Sequence, residues 1–429
     1  MTKPPSQQIN IHQLWAKNFR SLADTSIRLE PLTILVGANG TGKSNILDAL
    51  RFFKDALRFD LDAAIAFRHG FESIIRLPTS SLATFTLGVK AEIELEHKVL
   101  DIAYSFSITG DGDGEFHVEE EVATISESPN SPGFTLQYQR GRLVNDDIFP
   151  IEGGPALTSN DSSESLATNL MIPSLVRVWP FQTRLTPSSK TDDDIKSLSV
   201  NALRIFFSRL RLVRIFHIFP NTIRNEQDYL ARTMLDESAW NLATVLRNFR
   251  KTSAGRISLR KIKGAMKELV PGCSDLRVIP SAGNFVVQLK HKTEAGTIWL
   301  NLSQESDGII RLLGIVTALY QRQRMPMMGL EEPELTVHPG ALATLADMLN
   351  EASQNSQILI TTHSPDLIDC ITNFRAIEVV RIVDLEDGAT VVGEPSGSLA
   401  SAVREHLFSP GELHRQGDLE IQSGGLDVP

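Results

Sequence analysis

The chain has 429 residues, a formal net charge of -10, and 41% hydrophobic and 22% charged residues. That balance is of an ordinary globular protein long enough to bury a substantial core, and its sign argues against coating nucleic acid by bulk electrostatics. Cys273 and Cys370, the two cysteines, stand too far apart in sequence for a disulfide framework or zinc site; the reading is a reducing, cytoplasmic setting. Met1–Asn10 lacks an apolar leader and no run reaches membrane-spanning length, so no membrane partner is expected.

From the N-terminus, Ile9 to Phe19 and Ile27 to Leu29 alternate as strands, and Leu32 to Val36 is an apolar run suited to a buried strand. Gly37-Ala38-Asn39-Gly40-Thr41-Gly42-Lys43-Ser44 follows, and Ile46, Leu50, Phe53 and Leu57 then mark one face of a helix. Strand, glycine loop and helix are the context of a phosphate-binding loop. Its backbone N–H groups and helix N-terminus cradle phosphates, Lys43 reaches the β/γ-phosphates, and the Ser44 hydroxyl is placed for Mg²⁺.

Thr84 to Leu143 alternates again as an antiparallel meander, with turn clusters at residues 110–114 and 128–133. Residues 153–165 read as a polar loop, and Ser197 to Leu269 as mainly helical, with helices over Asp236–Arg250 and Ile257–Leu269. Arg247, Arg250, Lys251, Arg256, Arg260, Lys261, Lys263 and Lys267 make a basic strip there, either a solvated helix exterior or a surface for nucleic acid or another partner. Strands are expected at Leu276–Ile279, Asn284–His291 and Thr297–Leu300. The division is 1–150, an N-terminal lobe with the loop and meander; 151–300, an inserted helical lobe with terminal strands; 301–400, a C-terminal lobe; and a 401–429 tail.

Three elements of the C-terminal lobe carry chemistry. Ser306, Asp307 and Gly308 precede a helix through Ile309, Leu312, Leu313, Val316 and Tyr320, whose start can offer a hydroxyl, N–H groups and a positive dipole end to an anion. Met327 to Leu330 is a short apolar strand ending in Glu331 and Glu332: the first is placed for the metal, the second for a general base towards water. Ile358 to Thr362 delivers His363 to a strand's C-terminal end, where it can meet a γ-phosphate or the attacking water.

In this order the elements resemble the ATP-binding-cassette superfamily, and within it the SMC/RecF/OLD-like AAA ATPases. The resemblance rests on Asn18-Phe-Arg-Ser21, Gly37 through Asn45, Ser306-Asp-Gly308, Glu331-Glu-Pro-Glu334 with Val337-His-Pro339, and Thr362-His-Ser-Pro365. It implies an α/β head with a mixed or parallel core sheet, ATP and Mg²⁺ as ligands, and catalysis by Lys43, Glu332 and His363. It further implies a homodimer that closes on ATP, each loop capped by Ser306–Gly308 of the other copy, with Leu335–Pro339 at the interface. Asn18 to Ser21 would lie near the adenine. Departures are a signature unlike Leu-Ser-Gly-Gly-Gln, a glutamate in place of the first Walker B aspartate, and an unassigned Q-loop glutamine, with Gln137, Gln139 and Gln182 as candidates. The expected function is an ATPase that senses or acts on nucleic acid in phage defence or DNA repair. OLD proteins carry a C-terminal Toprim nuclease, and only a short segment follows His363 here, so a separate effector such as a nuclease is expected. The alternatives are a transporter's nucleotide-binding subunit, disfavoured by the long stretch between Lys43 and Glu331, and a scaffold that hydrolyses ATP poorly.

Overall fold

The computed structural model describes residues 9–76, 83–95, 97–110, 114–127, 133–146, 170–178, 190–224, 234–281, 284–321, 325–335, 337–372, 377–405 and 407–422. Most of the turn clusters near 110–114 and 128–133, the loop at 153–165, Gln182 and Thr336 lie outside them. Among the described residues, sixteen strands fall in three sheets. In chain order they are β1 (Ile9–Phe19), β2 (Leu22–Arg28), β3 (Leu32–Val36), β4 (Ala83–Leu95), β5 (Lys98–Gly110), β6 (Phe116–Ser126), β7 (Phe134–Gln139) and β8 (Arg142–Asp146). Then come β9 (Arg214–Phe216), β10 (Cys273–Ser281), β11 (Asn284–Thr293), β12 (Gly296–Asn301), β13 (Met327–Glu331), β14 (Gln357–Thr362), β15 (Val380–Glu386) and β16 (Ala389–Gly393).

The six-stranded sheet runs β16-β15-β3-β14-β13-β9, parallel throughout except for edge strand β16. Its strands are apolar on both faces because both are covered. Leu35, Leu359 and Ile215 pack into one core with the Lys43–Arg58 helix and the antiparallel sheet. Leu32, Ile34, Val36, Leu330, Ile358 and Ile360 pack into the other, with the helices Asp307–Tyr320, Leu342–Ser353 and Pro365–Thr372. This is the mixed-sheet α/β head expected from the sequence.

The meander joins β1 and β2 in a seven-stranded antiparallel sheet, order β2-β1-β4-β5-β6-β7-β8. Its inner face meets the Lys43–Arg58 helix through aromatic rings: Phe52 lies edge-on to Phe85 at 5.4 Å and Phe53 to Tyr104 at 5.6 Å. Such pairs add about 0.5–1.5 kcal/mol each beyond burial, which locks the helix behind the phosphate-binding loop against the sheet. A third sheet, β10-β11-β12, packs with the helices Leu242–Phe249 and Ser253–Leu269.

Two local expectations are corrected. The helix expected from Asp236 begins only at Leu242. Before it, the Asp236 Oδ1 accepts from the Ser238 amide at 3.1 Å and the Asn241 Oδ1 from the Asp236 amide at 2.8 Å, holding a turn in place of helix. The stretch read as mainly helical also contributes β9, which pairs with β13 and forms the edge of the parallel sheet. Among the described residues, no helix is long and apolar enough to cross a membrane.

Candidate functional site

The site is built where β3, β13, β14 and β9 end. Gly42 caps the Lys43–Arg58 helix at φ 101° with no side-chain cap, leaving the N–H groups of Lys43 and Ser44 open for an anion. A Cβ at Gly42 would lie 1.9 Å from the Thr390 Oγ1 and 2.7 Å from the Ser21 Oγ, so only glycine fits. Thr390 donates to the Thr41 carbonyl at 2.8 Å, and the Asn45 amide reaches the Ser21 hydroxyl at 2.6 Å. Ser21 and β16 thus brace the loop from behind. The Lys43 Nζ donates to the Gly37 and Ala38 carbonyls, each at 2.7 Å. Burial lowers its pKa, and the charges of Glu332, Glu334 and Glu331 oppose that shift.

The acidic pair diverges at once. Ser44 donates to the Glu331 Oε1, and the His217 Nε2 lies 3.0 Å from the Glu331 Oε2. Glu332 takes a left-handed backbone, φ 42°, and its amide donates to the Thr361 carbonyl at 3.0 Å. This kink sends the Glu332 carboxylate to His363, whose Nδ1 is 3.1 Å from its Oε1. A non-glycine residue in that region is strained, and such strain gathers at functional sites. Arg311, from the helix begun at Asp307, donates to the carbonyls of Glu331 and Glu332 at 2.8 and 3.0 Å and clamps the kink. Glu334 is buried against the Thr362 hydroxyl at 2.5 Å, and burial raises its pKa.

The donor chemistry fits Mg²⁺ and a nucleotide triphosphate. A serine hydroxyl and a carboxylate in direct contact are hard oxygen donors, and open helix N–H groups with a lysine suit phosphate. Lys43, Ser44, Glu331, Glu332 and His363 are therefore brought together. Ser306, Asp307 and Gly308 are placed differently. The Ser306 Oγ accepts from the Ile309 amide at 3.4 Å, and Asp307 pairs with Arg224 at 2.5 Å. Among the described residues, no hydrogen bond or ion pair joins 306–308 to 37–45.

Several residues at the site were not anticipated. Gln137, a candidate for the Q-loop, lies on β7 with its amide on Glu120 at 2.8 Å, and Gln139 ends the same strand. Besides Ser44, the side chain that reaches Glu331 at the end of β13 is His217, just after β9. It stacks on Phe219 at 4.6 Å, and burial lowers its pKa against the pull of Glu331. A chain of contacts positions it: Lys54 on the loop's own helix binds Glu237 at 2.8 Å, and the Glu237 carbonyl accepts from the His217 amide at 2.8 Å. The Phe-His-Ile-Phe-Pro run at 216–220 offered a weak strand-then-turn signal. The Pro410–Gln416 helix also arrives here, with the His414 Nε2 3.3 Å from the His363 carbonyl and Arg415 paired with Asp366. Its Ser409–Glu412 capping box was readable in the sequence.

Comparisons with known proteins give the chain a family and its fold a counterpart. The chain is 25% identical to the "OLD nuclease" of Thermus scotoductus, over 92% of this chain and 67% of that protein. It is 21% identical to the "Retron Vc95 probable ATPase" of Vibrio cholerae, over 86% of this chain and 72% of that protein. Among solved structures, an SMC head bound to the C-terminal winged-helix domain of ScpA superposes with a TM-score of 0.50 at 15% identity, covering 92% of this chain and 99% of that one, a likeness of fold. Residues 32–369 match the family described as "AAA domain, putative AbiEii toxin, Type IV TA system", and the chain belongs to that family of SMC/OLD-like AAA ATPases of the ATP-binding-cassette superfamily.

Proposed function

We propose that this chain hydrolyses ATP at a composite site that closes between two copies, and that closure is coupled to a separate effector. The observation that carries the reading is the pairing of Glu332 with His363 at 3.1 Å beside the Ser44–Glu331 contact. Residues 37–45 bind the phosphates, with Lys43 moving from the loop carbonyls to the β/γ-phosphates. Ser44 and Glu331 hold Mg²⁺, directly or through water, and the ion supplies charge neutralisation on the phosphate oxygens. Glu332 accepts a proton from the attacking water, while His363 orients that carboxylate and faces the γ-phosphate side. His217 holds the second oxygen of Glu331. Ser306, Asp307 and Gly308, unattached to their own loop, cap the nucleotide of a second copy. ATP then favours the closed pair because only that state completes both sites.

Mixing two inactive chains tests the composite site. Lys43→Ala removes one half and Ser306→Arg the other; a mixed dimer has one intact site, so mixing should restore turnover to about a quarter of wild type by random pairing. Failure of the mixture to exceed either parent would sink the shared site.

The names of the OLD and retron relatives support a defence role with an effector such as a nuclease, and nucleic acid as the sensed ligand. The basic strip supports contact with DNA, in part. Lys261 and Lys263 are held by Glu351 and Asp275 at 2.5 and 2.7 Å, whereas Arg250, Arg260 and Lys267 are exposed. Reversing those three to Glu should weaken a salt-dependent DNA interaction by at least about tenfold; unchanged binding in a gel-shift titration would remove the strip from the proposal.

A further inference from the structure

Away from the nucleotide end, the antiparallel sheet brings His12, Glu92 and Asp101 together from three adjacent strands. One donor atom from each lies within 4.8 Å of the others. Glu92 and Asp101 are direct partners across β4 and β5. Like charges opposite one another on antiparallel strands destabilise the pairing. Yet neither carboxylate forms an ion pair among the described residues; Lys90 acts on this region only at a distance.

The backbone around His12 is also unusual. Ile11 pairs with Ala91 and Gln13 with Lys90, so His12 is the extra residue of a bulge in β1. Bulges re-aim a side chain that regular alternation would send elsewhere. The His12 Nδ1 is buried and has no hydrogen-bond partner. Burial holds the imidazole pKa below its ordinary value, against the pull of Glu92, Asp101 and the Asn10 backbone.

A repelling carboxylate pair and an imidazole re-aimed by a bulge to within 4.8 Å of it share one remedy, a bound dication. We propose that His12, Glu92 and Asp101 form a second divalent-cation site that takes zinc or a first-row transition ion and ties β1, β4 and β5 together. Two carboxylates balance the ion's charge, and the imidazole favours zinc or another late first-row ion over magnesium. Donors around zinc sit about 3.3 Å apart at bond lengths of about 2.0–2.1 Å. The exposed Glu92 can close the remaining gap by a rotamer change. The site is separate from the ATP site. Neighbouring Ile11 exchanges two 2.7 Å hydrogen bonds with Gln357, at the start of β14, whereas His363 lies beyond that strand's other end.

The test is Co²⁺ titration of the chelator-treated full chain without nucleotide, followed by visible absorption and Zn²⁺ displacement. About one equivalent should bind with nitrogen-and-oxygen ligand-field bands, and saturating Zn²⁺ should raise Tm by several degrees. Ser44→Ala should keep both signals. His12→Ala and Asp101→Asn should lose them, and Glu92→Gln, a surface change that leaves folding intact by circular dichroism, should weaken binding at least about tenfold. Unchanged uptake in His12→Ala and Glu92→Gln, loss of uptake in Ser44→Ala, or no uptake by folded wild-type chain would each overturn the proposal.

Discussion

The parallel and antiparallel sheets handle polar side chains in opposite ways. In the parallel sheet β3, β13 and β14 are five, five and six residues long and buried almost throughout, and the charged side chains of the site come at or beyond their C-terminal ends. Glu331, Glu332 and His363 fall at or just beyond such ends, His217 just beyond β9, and Ser44 in the helix that opens after the loop following β3. In the antiparallel sheet β4 and β5 run for thirteen residues each, with one face apolar and the other polar, so His12, Glu92 and Asp101 can meet in mid-strand. Covered faces force chemistry to the sheet's rim, while a half-solvated sheet leaves a whole face available.

The largest effect that probes this division is at the rim. Glu332→Gln should lower ATP turnover by about 10²–10⁴-fold, with ATP affinity changed only a few-fold in a nucleotide-binding titration. Next is Phe52→Ala, from the ring cluster against Phe85 and Phe19. It should cost about 3–5 kcal/mol in urea denaturation with little change in kcat per folded molecule. A large loss of kcat without loss of stability would mean that the antiparallel layer takes part in the chemistry.

The third concerns an exception inside the apolar face. Glu121 is buried on β6, accepts from the Tyr104 hydroxyl at 2.6 Å and from the Met171 and Ile172 amides, and burial raises its pKa to about 7. Between about pH 4.5 and 7 the folded chain holds a proton that the unfolded chain has released. Its contribution is therefore full below pH 4.5 and is lost as pH rises through 7, a change of up to about 3 kcal/mol. Glu121→Gln should flatten that part of the stability–pH profile in denaturation from pH 4.5 to 8; an identical slope in the variant would assign it elsewhere.

Smaller effects test the supports of the rim. His217→Ala should lower kcat by about tenfold or more, from a charge-assisted contact worth about 1.5–3 kcal/mol, and His217→Gln should recover part of it. Thr390→Val removes one hydrogen bond to the loop, worth about 1 kcal/mol, and should weaken ATP binding by about fivefold. If Thr390→Val instead abolished binding, β16 would be part of the site rather than its brace.

The rim was largely legible because its signals are local. Gly37 to Ser44 sits between an apolar run and a helical stripe, and Glu331 and His363 each follow a buried strand. What escaped is what arrives from elsewhere in the chain. β9 is three residues long, too short for periodicity to reveal. Arg311 is an unremarkable position on an apolar helix until its guanidinium meets the Glu331 and Glu332 carbonyls. The glutamines considered for the Q-loop were chosen by residue type, and type carries no information about which strand flanks β13.

By itself, then, the sequence determined the α/β class and pointed to residues 37–44, the Glu331–Glu332 pair and His363 as one candidate site, because each signal depends on residues adjacent along the chain. Tertiary structure alone decided that His217 holds Glu331, that Thr390 and Ser21 back the loop, that His414 reaches the His363 backbone, and that His12 joins two carboxylates. Those meetings depend on strand order, on a bulge and on which helix end covers which strand. They are set by the packing of both sheets around the Lys43–Arg58 helix, which no local pattern encodes.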